Sequence, residues 1–99
     1  MQTTDLKLLT VICEPVLSGQ LIELARSLGV SGFTTTDVKG EGSAHRQSGE
    51  NPDAKVKIEV LAETGLAQKV MEKIAEGYFK NYSVIAYLTN AEIFRSTKF

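Results

Sequence analysis

The residues best suited to bind an anion lie in one polar segment near the middle of the chain. This segment reads Lys39-Gly-Glu-Gly-Ser-Ala-His-Arg46, and its two glycines leave room for backbone N–H groups to turn toward a ligand. Successive N–H groups arranged in this way form a concave anion site, to which Lys39, Ser43 and Arg46 would add donors and positive charge. The spacing differs from that of a P-loop, because no Gly-Lys-Ser/Thr follows. A flexible hairpin tip between two strands is the alternative on these residues alone.

Other reactive side chains are few. His45 is the only histidine and Cys13 the only cysteine. A metal ion would need His45 to gather carboxylates from the same loop, and no common ligand spacing is present. Ser43 and His45 lack a third residue to orient them, so catalysis is not predicted. Cys13 lies in an apolar segment, where packing in the core is the expected role of a cysteine.

Length and charge restrict the class of protein. The chain has 99 residues, which suits one domain spanning residues 1–99. Eleven Lys and Arg against twelve Asp and Glu give a net charge of -1. This balance argues against nucleic-acid or membrane-surface binding, because both usually involve an excess of positive charge. Without a membrane-length apolar run or a signal peptide, the chain is expected to be cytoplasmic.

The apolar pattern predicts alternating strands and helices. Short segments rich in β-branched residues predict strands at residues 7–13, 33–39, 55–61 and 82–88. Leucines three and four residues apart predict a first helix with Ser18 as its N-cap and Gly29 at its end. Apolar residues spaced by four predict a second helix, capped by Thr64.

The resulting βαββαβ order is the ferredoxin-like arrangement, an α+β fold in which two helices cover one face of an antiparallel sheet. Lys57 and Glu59 fall on the other face beside apolar residues, and this mixture predicts partial burial against a partner. The connection between the second and third strands contains only two apolar residues, both alanines, from Lys39 to Ala54. A structureless segment of that length is usually functional or disordered.

Three segments resemble PII signalling proteins. Gly32-Phe-Thr-Thr-Thr-Asp-Val-Lys-Gly-Glu-Gly42 is similar to the segment before the family's T-loop, Gly-Met-Thr-Val-Thr-Glu-Val-Lys-Gly-Phe-Gly. Lys55-Val-Lys-Ile-Glu59 resembles the strand after that loop, and Glu14-Pro15 resembles a Lys-Pro corner. The similarity covers about residues 7–97 and places the T-loop at about residues 41–54.

The resemblance implies a homotrimer that binds adenine nucleotides in the clefts between neighbouring subunits. Phosphate contacts would fall on the glycine-rich corner and base contacts on the strands. Position by position, the implied nucleotide contacts are Ile12, Thr34, Gly40, Glu41, Gly42, Ser43, Arg46, Glu59, Leu61, Ser83, Val84 and Arg95. Bicarbonate is an expected second ligand, at Lys39, Ser43 and Arg46.

The chain departs from nitrogen-sensing PII proteins in two ways. It has no B-loop ending in Gly-Asp-Gly-Lys, which helps hold a triphosphate, and its T-loop has no tyrosine for uridylylation. In these departures the chain resembles the PII-like proteins of bacterial inorganic-carbon metabolism. Two groups of them fit: carboxysome-associated PII proteins and SbtB-type regulators of a bicarbonate transporter. The carboxysome-associated group is favoured, because the Cys-Gly-Pro-Glu-Gly-Cys tail of some SbtB proteins is absent. That group is associated with ADP or AMP and with bicarbonate.

We therefore expect a non-catalytic sensor of ADP or AMP and of bicarbonate, with no metal or other cofactor. It would regulate inorganic-carbon uptake or fixation by ordering of the T-loop, which would contact a bicarbonate transporter or a carboxysome-associated protein. The alternatives are an SbtB-type regulator sensing cyclic AMP and AMP, a CutA-like metal-binding trimer, a small ferredoxin-fold enzyme and a purely structural interaction module.

Overall fold

A computed structural model describes residues 4–40 and 54–94 of the chain. The elements are β1 (Thr4–Cys13), α1 (Pro15–Ser27), β2 (Thr34–Lys39), β3 (Ala54–Ala62), α2 (Thr64–Tyr78) and β4 (Ile85–Ile93). The four strands form one antiparallel sheet in the order β2-β3-β1-β4. This confirms the predicted βαββαβ order and the ferredoxin-like fold. The predicted T-loop lies outside the described residues apart from Ala54, the first residue of β3.

Both helices pack on the same face of the sheet. Leu9 pairs with Val60 and Val11 pairs with Ile58, so these side chains share that face, since paired residues of antiparallel strands point the same way. They belong to one buried cluster with residues of both helices. The helix residues buried in it are Leu17, Leu21, Ala25, Ala67, Val70 and Ile74. The apolar stripes read from the sequence therefore face the sheet, as predicted.

Neither helix covers the opposite face, which we call the open face. The register places there Leu6, Leu8, Thr10 and Ile12 of β1, Thr34, Thr36 and Val38 of β2, Lys55, Lys57, Glu59 and Leu61 of β3, and Ile85, Tyr87, Thr89 and Ala91 of β4. Ile85 and Tyr87 are 54% and 43% exposed. The mixed polar and apolar character predicted for this face is confirmed.

The helices begin at different residues from those predicted. Glu14, not Ser18, is the N-cap of α1, and Pro15 takes the first helical position, where its missing N–H has no partner to lose. The Ser18 hydroxyl donates instead to the Pro15 carbonyl oxygen at 3.0 Å within the first turn. The N-cap of α2 is Glu63, and Thr64 is already helical. Neither N-cap side chain makes a capping hydrogen bond.

The predicted end of α1 is confirmed, whereas the predicted start of the fourth strand is wrong. Gly29 follows α1 with a φ of 114°, the left-handed conformation expected at a helix end. The fourth strand was expected from Tyr82, but it begins at Ile85. The reason is that the Tyr82 N–H donates to the Tyr78 carbonyl oxygen at 3.0 Å, which makes Tyr82 part of the turn after α2.

Within the described residues, no helix is long and apolar enough to span a membrane.

Replacement of Ile74 by alanine is expected to destabilise the protein strongly. Ile74 is 1% exposed at the contact between α2 and the sheet, so Ile74→Ala would lower the free energy of unfolding by about 2–5 kcal/mol through lost burial and a residual cavity. Urea denaturation measures this difference. Lys69→Ala, on the exposed side of the same helix, is the matched control and should change stability by less than about 0.5 kcal/mol. A cost below about 1 kcal/mol for Ile74→Ala would contradict this packing.

Candidate functional site

One end of the sheet gathers several of the residues that the sequence predicts for ligand binding. Because neighbouring strands are antiparallel, the last residues of β1 and β2 lie beside the first residues of β3 and β4. Ile12 pairs with Lys57 on one side and with Ile85 on the other, and Lys39 pairs with Ala54. We call this end the loop end, since Gly40 and the connection to β3 follow from it.

The four residues predicted to line the base pocket all lie on the open face. Thr34 pairs with Glu59, which pairs in turn with Thr10 of β1. Ile12 lies in the next row toward the loop end, and Leu61 lies in the next row away from it. Paired residues on one face have Cβ atoms about 4.5–5.5 Å apart. The structure thus brings Ile12, Thr34, Glu59 and Leu61 into three adjacent rows of one surface.

Glu59 is the charged residue at the centre of this surface. Its side chain is half-buried, and no other described residue supplies it with a side-chain hydrogen bond or an ion pair. A carboxylate accepts hydrogen bonds, and the neighbouring threonine hydroxyls can donate or accept them. With the apolar side chains of Ile12 and Leu61 in the rows on either side of it, the surface combines a hydrogen-bond acceptor with apolar contact area.

Two members of this surface, Thr10 and Tyr87, were not predicted from the sequence. Thr10 is 2% exposed although it faces away from the helices, and it pairs with both Glu59 and Tyr87. Together with Thr34 these residues form one row across all four strands. The alternation of β1 offered a signal for Thr10, because Thr10 and Ile12 are two residues apart and therefore share a face.

Gly40 lies at the loop end, directly after β2. Its φ is not positive, since Gly29 is the one residue with a positive φ among residues 4–40 and 54–94. A Cβ at Gly40 would lie 3.6 Å from Cγ of Lys55, an ordinary van der Waals distance. Neither backbone conformation nor a close neighbour among the described residues requires glycine here, so the expected use of its conformational freedom is not observed.

The remaining predicted contacts divide into two groups. Lys39 is exposed at the end of β2, Ser83 is exposed, and Val84 is half-buried just before β4, so these three are at the loop end. The others lie outside the described residues: Glu41, Gly42, Ser43, Arg46 and Arg95. His45, the histidine considered for a metal site, also lies outside them. In the described part of the chain, no three His, Cys, Asp or Glu side chains are grouped to hold a metal ion.

A cleft of about 520 Å³ opens at the end of the sheet opposite the loop end. It is lined by Asp5, Leu6, Lys7, Thr64, Asn90, Ala91 and Glu92. Asp5 and Glu92 are directly paired across β1 and β4, and like charges in that arrangement repel. Two residues further along β1, Lys7 pairs with Asn90, and the Lys7 Nζ donates to Oδ1 of Asn90. None of the described residues that were predicted for ligand binding lines this cleft.

Cys13 occupies the core, as predicted. It is fully buried, and burial is the main reason why the pKa of its thiol is raised. The negative charge of Glu14 raises the pKa further, while the positive charge of Lys55 acts in the opposite direction. The thiol therefore stays protonated at neutral pH, which makes it a poor nucleophile.

Comparisons with known proteins agree on one family. The family model described as nitrogen regulatory protein P-II matches residues 6–98. A PII-like signalling protein from Thermus thermophilus is 32% identical, with a TM-score of 0.85 and coverage of 100% of this chain and 99% of that one.

The chain is also similar in fold to CPII, a nitrogen regulatory PII-like protein from Thiomonas intermedia. The CPII structure bound to ADP and bicarbonate is 23% identical, with a TM-score of 0.84 over 99% of this chain and 97% of that one. The structure bound to ADP, AMP and acetate is 21% identical, with a TM-score of 0.85 over 100% and 98% of the two chains.

The buried thiol leads to a prediction about reactivity and alkaline stability. Native protein at pH 8 should resist a thiol-specific disulfide reagent, whereas protein unfolded in urea should react fully. Because the pKa is higher in the folded state, the stability contributed by Cys13 is complete below the unfolded pKa of about 8.5 and is lost as pH rises toward the folded pKa. Unfolding free energies from pH 7 to 10 should show this decline in the native chain and not in Cys13→Ala. Rapid labelling of the folded protein would contradict the burial.

Proposed function

Because this chain belongs to the nitrogen regulatory protein P-II family, we propose that it is a non-catalytic signalling protein that binds ADP or AMP between the subunits of a homotrimer. The observation that carries the proposal is that Thr34, Glu59 and Ile12 lie in two adjacent rows of the open face, with Ile12 in the row nearer the loop end, where Gly40 lies. These residues were selected from sequence resemblance alone, and the register makes them neighbours.

The chemistry of the open face suits an adenine nucleoside. The Glu59 carboxylate can accept a hydrogen bond from an amino or ribose hydroxyl group, and Thr34 can donate or accept one. Ile12 and Leu61 supply apolar contact for the base. The phosphates would then extend to the loop end, toward the N–H groups of residues 40–43 and the side chain of Arg46. CPII structures that share this fold contain ADP and AMP.

A second copy of the chain would complete this site. The open face is a single layer of side chains. One row of it runs from Thr34 through Glu59 and Thr10 to Tyr87, and the residues at both ends of this row are exposed to solvent. Ile85 and Tyr87 expose apolar surface there, and a domain of this size gains stability by burying such surface in an oligomer. We place the nucleotide between neighbouring copies, with Arg95 of the adjacent copy as a further contact.

Bicarbonate is the second ligand in this proposal. A carbonate oxygen would contact Lys39, Ser43 and Arg46, close to the nucleotide phosphates, and a CPII structure contains bicarbonate together with ADP. Ligand binding would order the T-loop and so change its contact with a protein target, a bicarbonate transporter or a carboxysome-associated protein in the cytoplasm. Such a switch requires the ligands to interact differently with the two states of the loop.

Nucleotide binding is tested by calorimetry and thermal unfolding with AMP, ADP, ATP and cyclic AMP, each with and without bicarbonate. ADP or AMP at 100 times its dissociation constant should stabilise the protein by about 2.7 kcal/mol. Thr34→Val, which removes the hydroxyl on the open face, should weaken ADP binding about threefold to tenfold by loss of a hydrogen bond.

Thr35→Val is the matched control for this measurement. Thr35 is the next residue of β2 and is exposed on the opposite face of the sheet, so its substitution should leave the affinity unchanged. Equal losses in both variants would argue against binding on the open face. The absence of binding by all four nucleotides would reject the proposal.

The trimer is tested by sedimentation equilibrium. Tyr87→Glu places a charge on the open face, and burial of an unpaired charge costs several kcal/mol, so this variant should dissociate to monomers. Val16→Glu puts the same charge at an exposed apolar residue of α1, away from the open face, and should remain trimeric. A monomeric native chain, or a Tyr87→Glu variant that stays trimeric, would contradict an interface on this face.

A further inference from the structure

Tyr78, the last residue of α2, links the two helices. Its ring packs against the buried cluster, and its hydroxyl donates to Oε1 of Gln20 on α1 at 3.2 Å. Of the side-chain hydrogen bonds within residues 4–40 and 54–94, this one joins α1 to α2. The end of α2 is therefore held at a defined position relative to α1.

The same residue organises the turn that leads to β4. The Tyr78 carbonyl oxygen accepts the Tyr82 N–H at 3.0 Å, and the Tyr82 carbonyl oxygen accepts the Val84 N–H at 3.0 Å. The rings of Tyr78 and Tyr82 also contact each other, with centroids 5.8 Å apart. These contacts form a continuous path from Gln20 to Val84, and β4 begins at the next residue.

This path ends at the loop end of the sheet. Ile85 follows Val84 and pairs with Ile12, one of the residues of the proposed base pocket. Ser83 and Val84 are thus presented to the site by a turn whose described hydrogen bonds are few, and Ser83 is exposed. A turn of this kind binds more tightly when its bound conformation is already fixed, because less conformational entropy is lost on binding.

We infer that Tyr78 is a positioning residue of the nucleotide site: its hydroxyl, held by Gln20, fixes the turn that presents Ser83 and Val84. This inference rests on the proposed function, which assigns nucleotide contacts to those two residues. Tyr78 acts here through the backbone of the turn and makes no contact with the ligand.

The test combines ADP affinity with hydrogen exchange. Tyr78→Phe keeps the ring and removes the hydroxyl, and Gln20→Ala removes the acceptor. Both variants should bind ADP about threefold to tenfold more weakly, the range expected for loss of one hydrogen bond. In the free protein, both should also increase amide exchange at Tyr82 and Val84, a local effect that a uniform loss of stability would not produce.

Two further variants separate positioning from general effects. Gln20→Glu retains an acceptor oxygen and should bind ADP within about twofold of the native chain, since the hydrogen bond is kept. Gln68→Ala removes an exposed glutamine from α2, away from the turn, and should change neither affinity nor exchange. A double variant, Gln20→Ala with Tyr78→Phe, should bind no more weakly than either single variant, because both remove the same interaction.

The outcomes distinguish this inference from the proposed function. Native affinity for ADP with Tyr78→Phe, or faster exchange in the turn without weaker binding, would overturn the positioning role and leave nucleotide binding intact. Failure of the native chain itself to bind any adenine nucleotide would reject the proposed function and the role of Tyr78 in binding together.

Discussion

Leu9, Val11 and their partners on β3 are buried because α1 and α2 both pack on one face of the sheet. The placement of the remaining strand residues depends on this burial of one face of the sheet. Side chains alternate along a strand, so the residues between the core residues must point to the open face. Threonines, Lys57 and Glu59 occupy those positions together with Ile85 and Tyr87. The sheet thus separates a layer that stabilises the fold from a layer that is available to a ligand or another subunit.

The antiparallel register then sets which polar groups become neighbours. Thr34, Glu59, Thr10 and Tyr87 come from four different strands and form one row. A half-buried carboxylate that has no side-chain partner among the described residues is costly to bury further unless it gains a hydrogen bond or a positive charge. A ligand donor or a group from another copy would provide that interaction, so the proposed trimer and the proposed nucleotide binding are expected to depend on each other.

The sequence predicted the element order well because its periodicity is strong. Alternation in β3 and spacing by fours in α2 each match one kind of element, and Gly29 occurs where α1 ends. The element starts were harder to predict. Ser18 and Thr64 have side chains typical of N-caps, yet the chain turns earlier at Glu14 and Glu63. In α1 the start coincides with Pro15, whose fixed φ suits the first helical position, and in neither helix does the N-cap side chain make the hydrogen bond that cap preference assumes.

Local composition and spacing determined the class of fold, the apolar stripes and the buried position of Cys13, because these depend on short-range periodicity. The residues of the proposed base pocket came from the resemblance of a few segments to one family. Only the tertiary structure decided that Thr10 and Tyr87 lie in one row with Glu59, that β4 begins after a turn in which Tyr82 donates to Tyr78, and that Tyr78 donates to Gln20 across the two helices. These relations connect residues far apart in the chain. They follow from strand register and helix packing, which no local pattern encodes.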